Sequence, residues 1–360
     1  MALPPLVAPA APLSERERER TARHSVLAGL GDEGQRRLAG AHVAVVGAGG
    51  LGSPVILGLA AAGVGRLTVI DDDVVEFSNL QRQVIHRAED VGAPKATSAA
   101  RAARALAPDI RVDIRRERLD AGTAADLLTG CDLVIDGTDT FATRTAVAAA
   151  CDERGVPLVW GVIQEFHAQV TVFWSRPPAG TDAVRLADLY PPGSAGEPPT
   201  CAEVGVLGSL CLTVGGMLAT EAIKLITGIG APLLGRVVLI DALTATQREV
   251  PLRPARATAA SSVPAPAPAS EIDLDGLFAA QAAGATVIDV REPSETAAGS
   301  LAGAVLIPLG DLLEHPERFS GDRAVVVCAR GVRAHRAADA LRARGVDTVV
   351  LSGGLAAWPR

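Results

Sequence analysis

His42-Val-Ala-Val-Val-Gly47-Ala-Gly-Gly-Leu-Gly52-Ser-Pro54 decides the fold. A short, unbroken run of strand-forming residues passes straight into a Gly-x-Gly-x-x-Gly loop, and an apolar helical stretch follows. A strand apolar on both faces belongs in a covered parallel sheet. Gly47, Gly49, Gly50 and Gly52 permit a tight turn and close approach of the backbone to phosphate, which would then rest on unpaired amides at a helix N-terminus. The next strand, 66–70, ends in Asp71, at about the spacing at which such folds hold a ribose.

Outward from this unit the alternation continues. Residues 110–114, 133–135 and 158–160 read as strands and 94–107 and 143–154 as helices, so the chain is expected to form a Rossmann-like, doubly wound α/β sheet. Further strands are expected at 168–174 and 237–240. The uncharged run 204–220 contains glycines and reads as buried core rather than as a membrane span. Proline, alanine and serine then replace periodic residues, and Val263-Pro-Ala-Pro-Ala-Pro268 suits an extended spacer. Beyond it, strands at 286–290, 324–327 and 348–351 with a helix at 332–344 describe a smaller α/β domain. The expected organisation is an N-terminal tail at 1–19, a nucleotide-binding domain at 20–254, a linker at 255–270 and a second domain at 271–360.

A formal charge of −7 over 360 residues gives no general basic footprint for nucleic acid. Five cysteines, none in a Cys-x-x-Cys pair, support neither a disulfide framework nor a structural zinc. The charged N-terminus does not read as a signal peptide, and a cytoplasmic protein is expected.

The glycine loop and Asp71 alone would serve a dinucleotide such as NAD. The segment after Asp71 suits a triphosphate better. Asp71-Asp-Asp-Val-Val-Glu-Phe-Ser-Asn-Leu-Gln-Arg-Gln83 leads to Arg82 and, past Gly-Ala-Pro, to Lys95, one of only two lysines among 34 basic residues. A triphosphate losing pyrophosphate benefits from cations and a metal: Arg82 offers a planar fork and Lys95 a compact point charge. Asp139, in Asp136-Gly-Thr-Asp139, follows a strand's carboxyl end and can ligate Mg²⁺. The bland readings are a solvated lysine at a helix start and an aspartate capping the helix near Thr140.

Cys201 follows a Gly/Pro-rich stretch, as would suit a mobile loop, although a lone cysteine is more often inert core; Cys131, Cys151 and Cys211 read as core. Cys328 ends a strand and opens Cys328-Ala-Arg-Gly-Val-Arg333, which runs into a helix. Amides at a helix N-terminus, together with Arg330 and Arg333, favour an anionic sulfur there. The Cys-to-Arg spacing is one residue shorter than in common Cys-based phosphatases, favouring a smaller pocket.

Residues 20–35, the Gly47–Ser53 loop, 71–83, Val91-Gly-Ala-Pro-Lys95, Asp136–Asp139 and Thr200-Cys-Ala-Glu-Val-Gly-Val-Leu-Gly208 together resemble the MoeB/ThiF-type adenylyltransferases, relatives of ubiquitin-activating enzymes. The resemblance implies ATP-dependent adenylation of the C-terminal glycine of a small ubiquitin-like sulfur-carrier protein. It puts Gly50, Asp71, Ser78, Asn79, Leu80, Gln81, Arg82, Lys95, Asp139 and Thr140 around ATP and Mg²⁺, has Arg23 reach the partner subunit's site in a homodimer, and makes Cys201 a residue that can bond covalently to the activated carrier.

With Val287-Ile-Asp-Val-Arg-Glu-Pro293 and Gly353-Gly-Leu-Ala-Ala-Trp358, the second domain resembles a single rhodanese domain. This implies a persulfide on Cys328, loaded by a cysteine desulfurase or thiosulfate, that attacks the acyl adenylate or its Cys201 adduct toward a thiocarboxylate. Asp289 and Arg291 are expected to support the loop. Where relatives carry paired zinc cysteines, Arg185 and Asp188 stand in one place and nothing comparable in the other; no zinc is expected, and an Arg185–Asp188 ion pair could partly replace it. Ser300, Ala334 and Thr140 replace a histidine, a serine and an asparagine common in these families. Two other readings are an NAD-linked oxidoreductase fused to a sulfur module, which leaves Arg82, Lys95, Asp139 and Cys201 unused, and a scaffold with degenerate sites.

Overall fold

The structure is a computed structural model describing residues 3–191, 205–254, 269–297 and 299–357. The chain divides into two compact units, Met1–Arg256 and Ala257–Arg360. In the first, strands β1 (His42–Val46), β2 (Arg66–Ile70), β3 (Arg111–Arg115), β4 (Leu133–Asp136), β5 (Leu158–Gln164), β6 (His167–Phe173), β7 (Arg236–Asp241) and β8 (Thr246–Pro251) form one sheet in the order β3-β2-β1-β4-β5-β6-β7-β8. The five strands from β3 through β5 are parallel, and β6, β7 and β8 join antiparallel. All five residues of β1 are buried, as a run apolar on both faces requires.

Val46 pairs with Ile70 on one side and with Asp136 on the other. The carboxyl ends of β1, β2 and β4 are therefore level, and the chain reverses its winding direction between β1 and β4, the place where such sheets bind ligands. Local sterics demand the glycines there. Gly47 has φ +87°, and a Cβ on Gly52 would collide with the Gly47 carbonyl.

The helix Gly208–Thr227 packs on the helix Gly52–Ala62. Leu210, Val214, Leu218, Ala222 and Leu225, spaced three or four apart, are buried. Each large apolar side chain among them contributes roughly 1.5–3 kcal/mol by leaving water. Small residues let the backbones approach: a Cβ on Gly58 would lie 3.2 Å from the Ala219 Cβ. By length and composition this helix could cross a bilayer, yet 61% of its most apolar window is buried in the protein core.

In the second unit, β9 (Ser270–Ile272), β10 (Thr286–Asp289), β11 (Val305–Leu306), β12 (Arg323–Val327) and β13 (Asp347–Leu351) form a parallel sheet ordered β11-β10-β12-β13-β9. Ile288, Val326 and Val350 face one core and Val287, Val325 and Leu351 the other, so both faces are covered. Three strands went unread in the sequence. All six residues of β8 are exposed, and its charged, polar composition suits an edge strand. β11 has two residues, and β9 begins at Ser270, inside the stretch expected to be linker.

Candidate functional site

At the level carboxyl ends lies an open cleft. Gly47, Gly49 and Gly50 form its floor, and Asp71, Arg82, Lys95, Asp139 and Thr140 line its walls. Residues from five separated segments thus converge on one space.

Asp71 is partly buried and first of all shapes the loop. Its Oδ2 accepts the Ala48 N–H at 2.7 Å and its Oδ1 the Asp73 N–H at 2.9 Å. Burial pushes its carboxyl above the ordinary range, while the Ala48 amide and Lys95 pull it back. Lys95, 7% exposed, places Nζ 2.8 Å from Asp73 Oδ2, so the lysine expected to face phosphate is held by an exposed carboxylate. Asp72 pairs with Arg118 at 3.1 Å. The carboxylates of Asp71, Asp72 and Asp73 lie within 4.8 Å of one another, a charge density that these cations partly neutralise.

Asp139 is exposed on the opposite wall. The neighbouring helix Phe141–Arg154 is capped by Thr140, whose Oγ1 accepts the Thr143 N–H at 3.4 Å. Asp139 therefore does not serve as the cap. Behind it Asp136 is fully buried: Oδ1 accepts from Thr138 N–H at 2.9 Å and Thr138 Oγ1 at 2.7 Å, and Oδ2 has no hydrogen-bond partner among the described residues.

Other expected contacts stand back from the cleft. Asn79 is buried and closes the turn before Arg82: Oδ1 accepts the Glu76 N–H at 3.3 Å, and Nδ2 donates to Glu76 Oε2 and Ser78 Oγ at 3.4 Å each. Its carbonyl accepts the Arg82 N–H at 3.0 Å. Among the described residues the cleft lining does not include Ser78, Asn79, Leu80, Gln81, Gly52 or Arg23. The first four form the support that aims Arg82, and Gly52 packs under the loop. Arg23 is exposed on the short helix Ala22–Ser25. Cys201 lies outside the described residues.

Sequence reading missed Arg118, Arg144 and Cys211 in this cleft. Arg118 follows β3 in a basic cluster, a recoverable signal. Arg144 is one helical turn beyond Thr140, with Nη2 donating to the Thr138 carbonyl at 2.9 Å. Cys211 is buried, as expected of core, and also sits against Gly50, where a Cβ would lie 3.1 Å from its Sγ.

In the second unit Cys328 directly follows β12 and is 1% exposed. The Gly331 N–H, from a residue with φ +95°, donates to its Sγ at 3.1 Å. The loop of Gly354 docks against it, with the Leu355 N–H donating to the Cys328 carbonyl at 2.9 Å and the Ala356 N–H to that of Ala329 at 2.8 Å. A Cβ on Gly354 would overlap the backbone of Ala329 and Gly331. Val332 is half-exposed and opens the helix Val332–Arg342.

Arg333 interacts electrostatically with Cys328 and also forms two 2.6 Å bonds to Glu295, which hold that carboxyl at about 2. Arg330 is exposed. Arg291 grips fully buried Asp289 at 2.6 Å and donates to the Gly299 carbonyl at 2.9 Å. The Asp289–Arg291 pair therefore supports the segment that carries Glu295.

The places compared with zinc ligands hold other interactions. Arg185 pairs with Asp152 at 3.6 Å instead of with Asp188, whose Oδ2 accepts the Arg185 backbone N–H at 2.7 Å. The expected side-chain pair is replaced because Asp188 closes the turn Leu186–Leu189. Without thiols this donor set does not suit zinc.

Known proteins share both domains of this chain. The model of the ThiF family matches residues 21–261, and that of the rhodanese-like domain matches 274–360. The chain is 44% identical to the probable adenylyltransferase/sulfurtransferase MoeZ of Mycobacterium tuberculosis, over 99% of this chain and 97% of that protein. It is 40% identical to the molybdopterin-synthase adenylyltransferase of Salmonella typhimurium, over 67% of this chain and 95% of that protein. The E. coli MccB structure with ATP shares the fold, with a TM-score of 0.56 at 21% identity, covering 67% of this chain and 72% of that one. Two matched domains in one order and a full-length relative lead to one conclusion: this chain belongs to the ThiF family and carries a C-terminal rhodanese-like domain.

Proposed function

We propose that this enzyme uses ATP to adenylate the C-terminal glycine of a small ubiquitin-like sulfur-carrier protein and then supplies sulfur from Cys328, giving a thiocarboxylate. The observation that carries the reading is the convergence of the glycine loop, Arg82, Lys95 and Asp139 on one cleft, in a chain whose second unit presents a cysteine at a strand-to-helix loop.

In the first step a carboxylate oxygen of the carrier attacks the α-phosphorus, the α–β bridging bond breaks and pyrophosphate leaves. No protein nucleophile is required; catalysis is positioning and charge neutralisation. Loop amides hold phosphate oxygens, Arg82 and Lys95 take up charge on the departing pyrophosphate, and Asp71 keeps the loop in place. Lys95 exchanges Asp73, which is exposed and readily rehydrated, for phosphate oxygens. Asp139, exposed and excluded from the helix cap, is a hard oxygen ligand suited to Mg²⁺, which supplies further neutralisation of the phosphates when bound. Arg23 reaches the partner subunit's nucleotide in a homodimer.

In the second step the terminal sulfur of a Cys328 persulfide attacks the acyl carbon and AMP leaves, forming an acyl persulfide; attack on a Cys201 thioester would release the Cys201 thiol instead. A thiol then cleaves the S–S bond, releasing the thiocarboxylate and leaving a disulfide at Cys328. Gly331 N–H stabilises negative charge on Sγ. A cysteine desulfurase or thiosulfate supplies the persulfide sulfur. Neither nucleic acid nor a membrane takes part, zinc is not required, and the location is the cytoplasm, where thiols stay reduced. Carrier-dependent ATP–pyrophosphate exchange tests the reading: Asp139→Ala should abolish it, and exchange that survives this change refutes the site.

A further inference from the structure

Ala48, the middle residue of the first Gly-x-Gly, is held on both sides. Asp71 accepts its N–H, and His86 Nε2 lies 3.0 Å from its carbonyl. A carbonyl only accepts, so Nε2 carries the hydrogen. His86 is 6% exposed, and burial lowers its basicity, in keeping with a neutral donor ring. Nδ1, the acceptor nitrogen of that neutral ring, lies 2.9 Å from Ser98 Oγ, whose single hydrogen can pass either to it or to Asp90 Oδ2 at 2.8 Å. Asp90 is buried and gripped by Arg101 through two 2.6 Å bonds, with the Arg87 N–H donating at 2.9 Å. Ser98 and Arg101 belong to the helix Lys95–Leu106, whose first residue is the lysine of the cleft. A continuous polar line thus joins the glycine loop to the helix that carries Lys95. A core histidine in search of partners would not have to link these two elements.

We propose that His86 is a positioning residue for nucleotide binding: through the Ala48 carbonyl and Ser98 its ring fixes the glycine loop relative to the Lys95 helix. This rests on the reading of the cleft as the ATP site. Loss of one buried hydrogen bond that sets the loop should weaken ATP binding about tenfold, equivalent to about 1.4 kcal/mol.

The test uses the full chain with Mg²⁺ and measures ATP affinity by calorimetry beside thermal melting and exchange kinetics. His86→Ala should raise the ATP Kd and KM about tenfold while kcat at saturating ATP stays within about twofold. His86→Gln, which can donate to the same carbonyl, should recover most of the affinity. Ser98→Ala, which keeps the ring, should weaken binding about threefold and serves if His86→Ala fails to fold. Folded variants that melt earlier but bind ATP as the wild type does overturn the positioning role. A wild-type chain that binds no ATP overturns the nucleotide reading itself.

Discussion

Replacing Glu295 by glutamine isolates the device that holds Arg333 beside the sulfur loop. Two charge-assisted bonds of 2.6 Å join the side chains, with Arg333 31% and Glu295 34% exposed. A charged hydrogen bond contributes about 1.5–3 kcal/mol when well shielded, and water at this site screens both. Glutamine retains one acceptor, so the net loss should be about 1 kcal/mol. In a unit of this size that lowers Tm by about 4–8 °C. The sign of the pH dependence comes from the depressed carboxyl. Glu295 titrates at about 2 when folded against an ordinary 4.5, so its contribution is complete above about pH 4.5 and is lost as pH falls toward 2. Differential scanning calorimetry from pH 7 to pH 3 should show the wild-type advantage over Glu295→Gln shrinking through that window. Equal Tm values at pH 7, or a difference that does not change on acidification, would refute the reasoning. Thiosulfate-to-cyanide sulfur transfer should also fall in the variant, because Arg333 is no longer held.

Lys95→Met separates binding from folding: its partner Asp73 is exposed, so stability should change by no more than about 1 kcal/mol, while carrier-dependent exchange drops at least about tenfold. An unchanged exchange rate would return Lys95 to a purely structural pairing. Gly52→Ala forces a Cβ into the Gly47 carbonyl and should cost about 1–3 kcal/mol as well as ATP affinity, read by melting and calorimetry. Thr140→Ala removes a helix cap and should cost about 1 kcal/mol; a melting curve identical to wild type would show that the cap contributes nothing. Metal analysis of the purified chain should find no stoichiometric zinc.

The parallel core was legible because β1, β2 and β4 are apolar runs that end in glycine or aspartate, and periodicity reports burial directly. β8 escaped because an edge strand exposes both faces and buries nothing. Arg82, Lys95 and Asp139 could be read at the cleft because each follows a turn signal beside a predicted element. The partners of these groups could not. Asp73 against Lys95, Asp152 against Arg185 and Glu295 against Arg333 are separated by 22, 33 and 38 residues, by subtraction of their numbers, and only the tertiary fold brings them together. Asn79 shows a related ambiguity, since a buried amide that closes its own turn has the same sequence as one facing a ligand.

Under the proposed function one chain both activates a carrier and gives it sulfur. The most direct measurement is the intact mass of a candidate ubiquitin-like carrier after incubation with enzyme, ATP, Mg²⁺, thiosulfate and a thiol reductant. A thiocarboxylate that requires ATP and is lost with Cys328→Ala is expected, while exchange persists in that variant. A thiocarboxylate formed without ATP, or formed equally by Cys328→Ala, would contradict the proposed function.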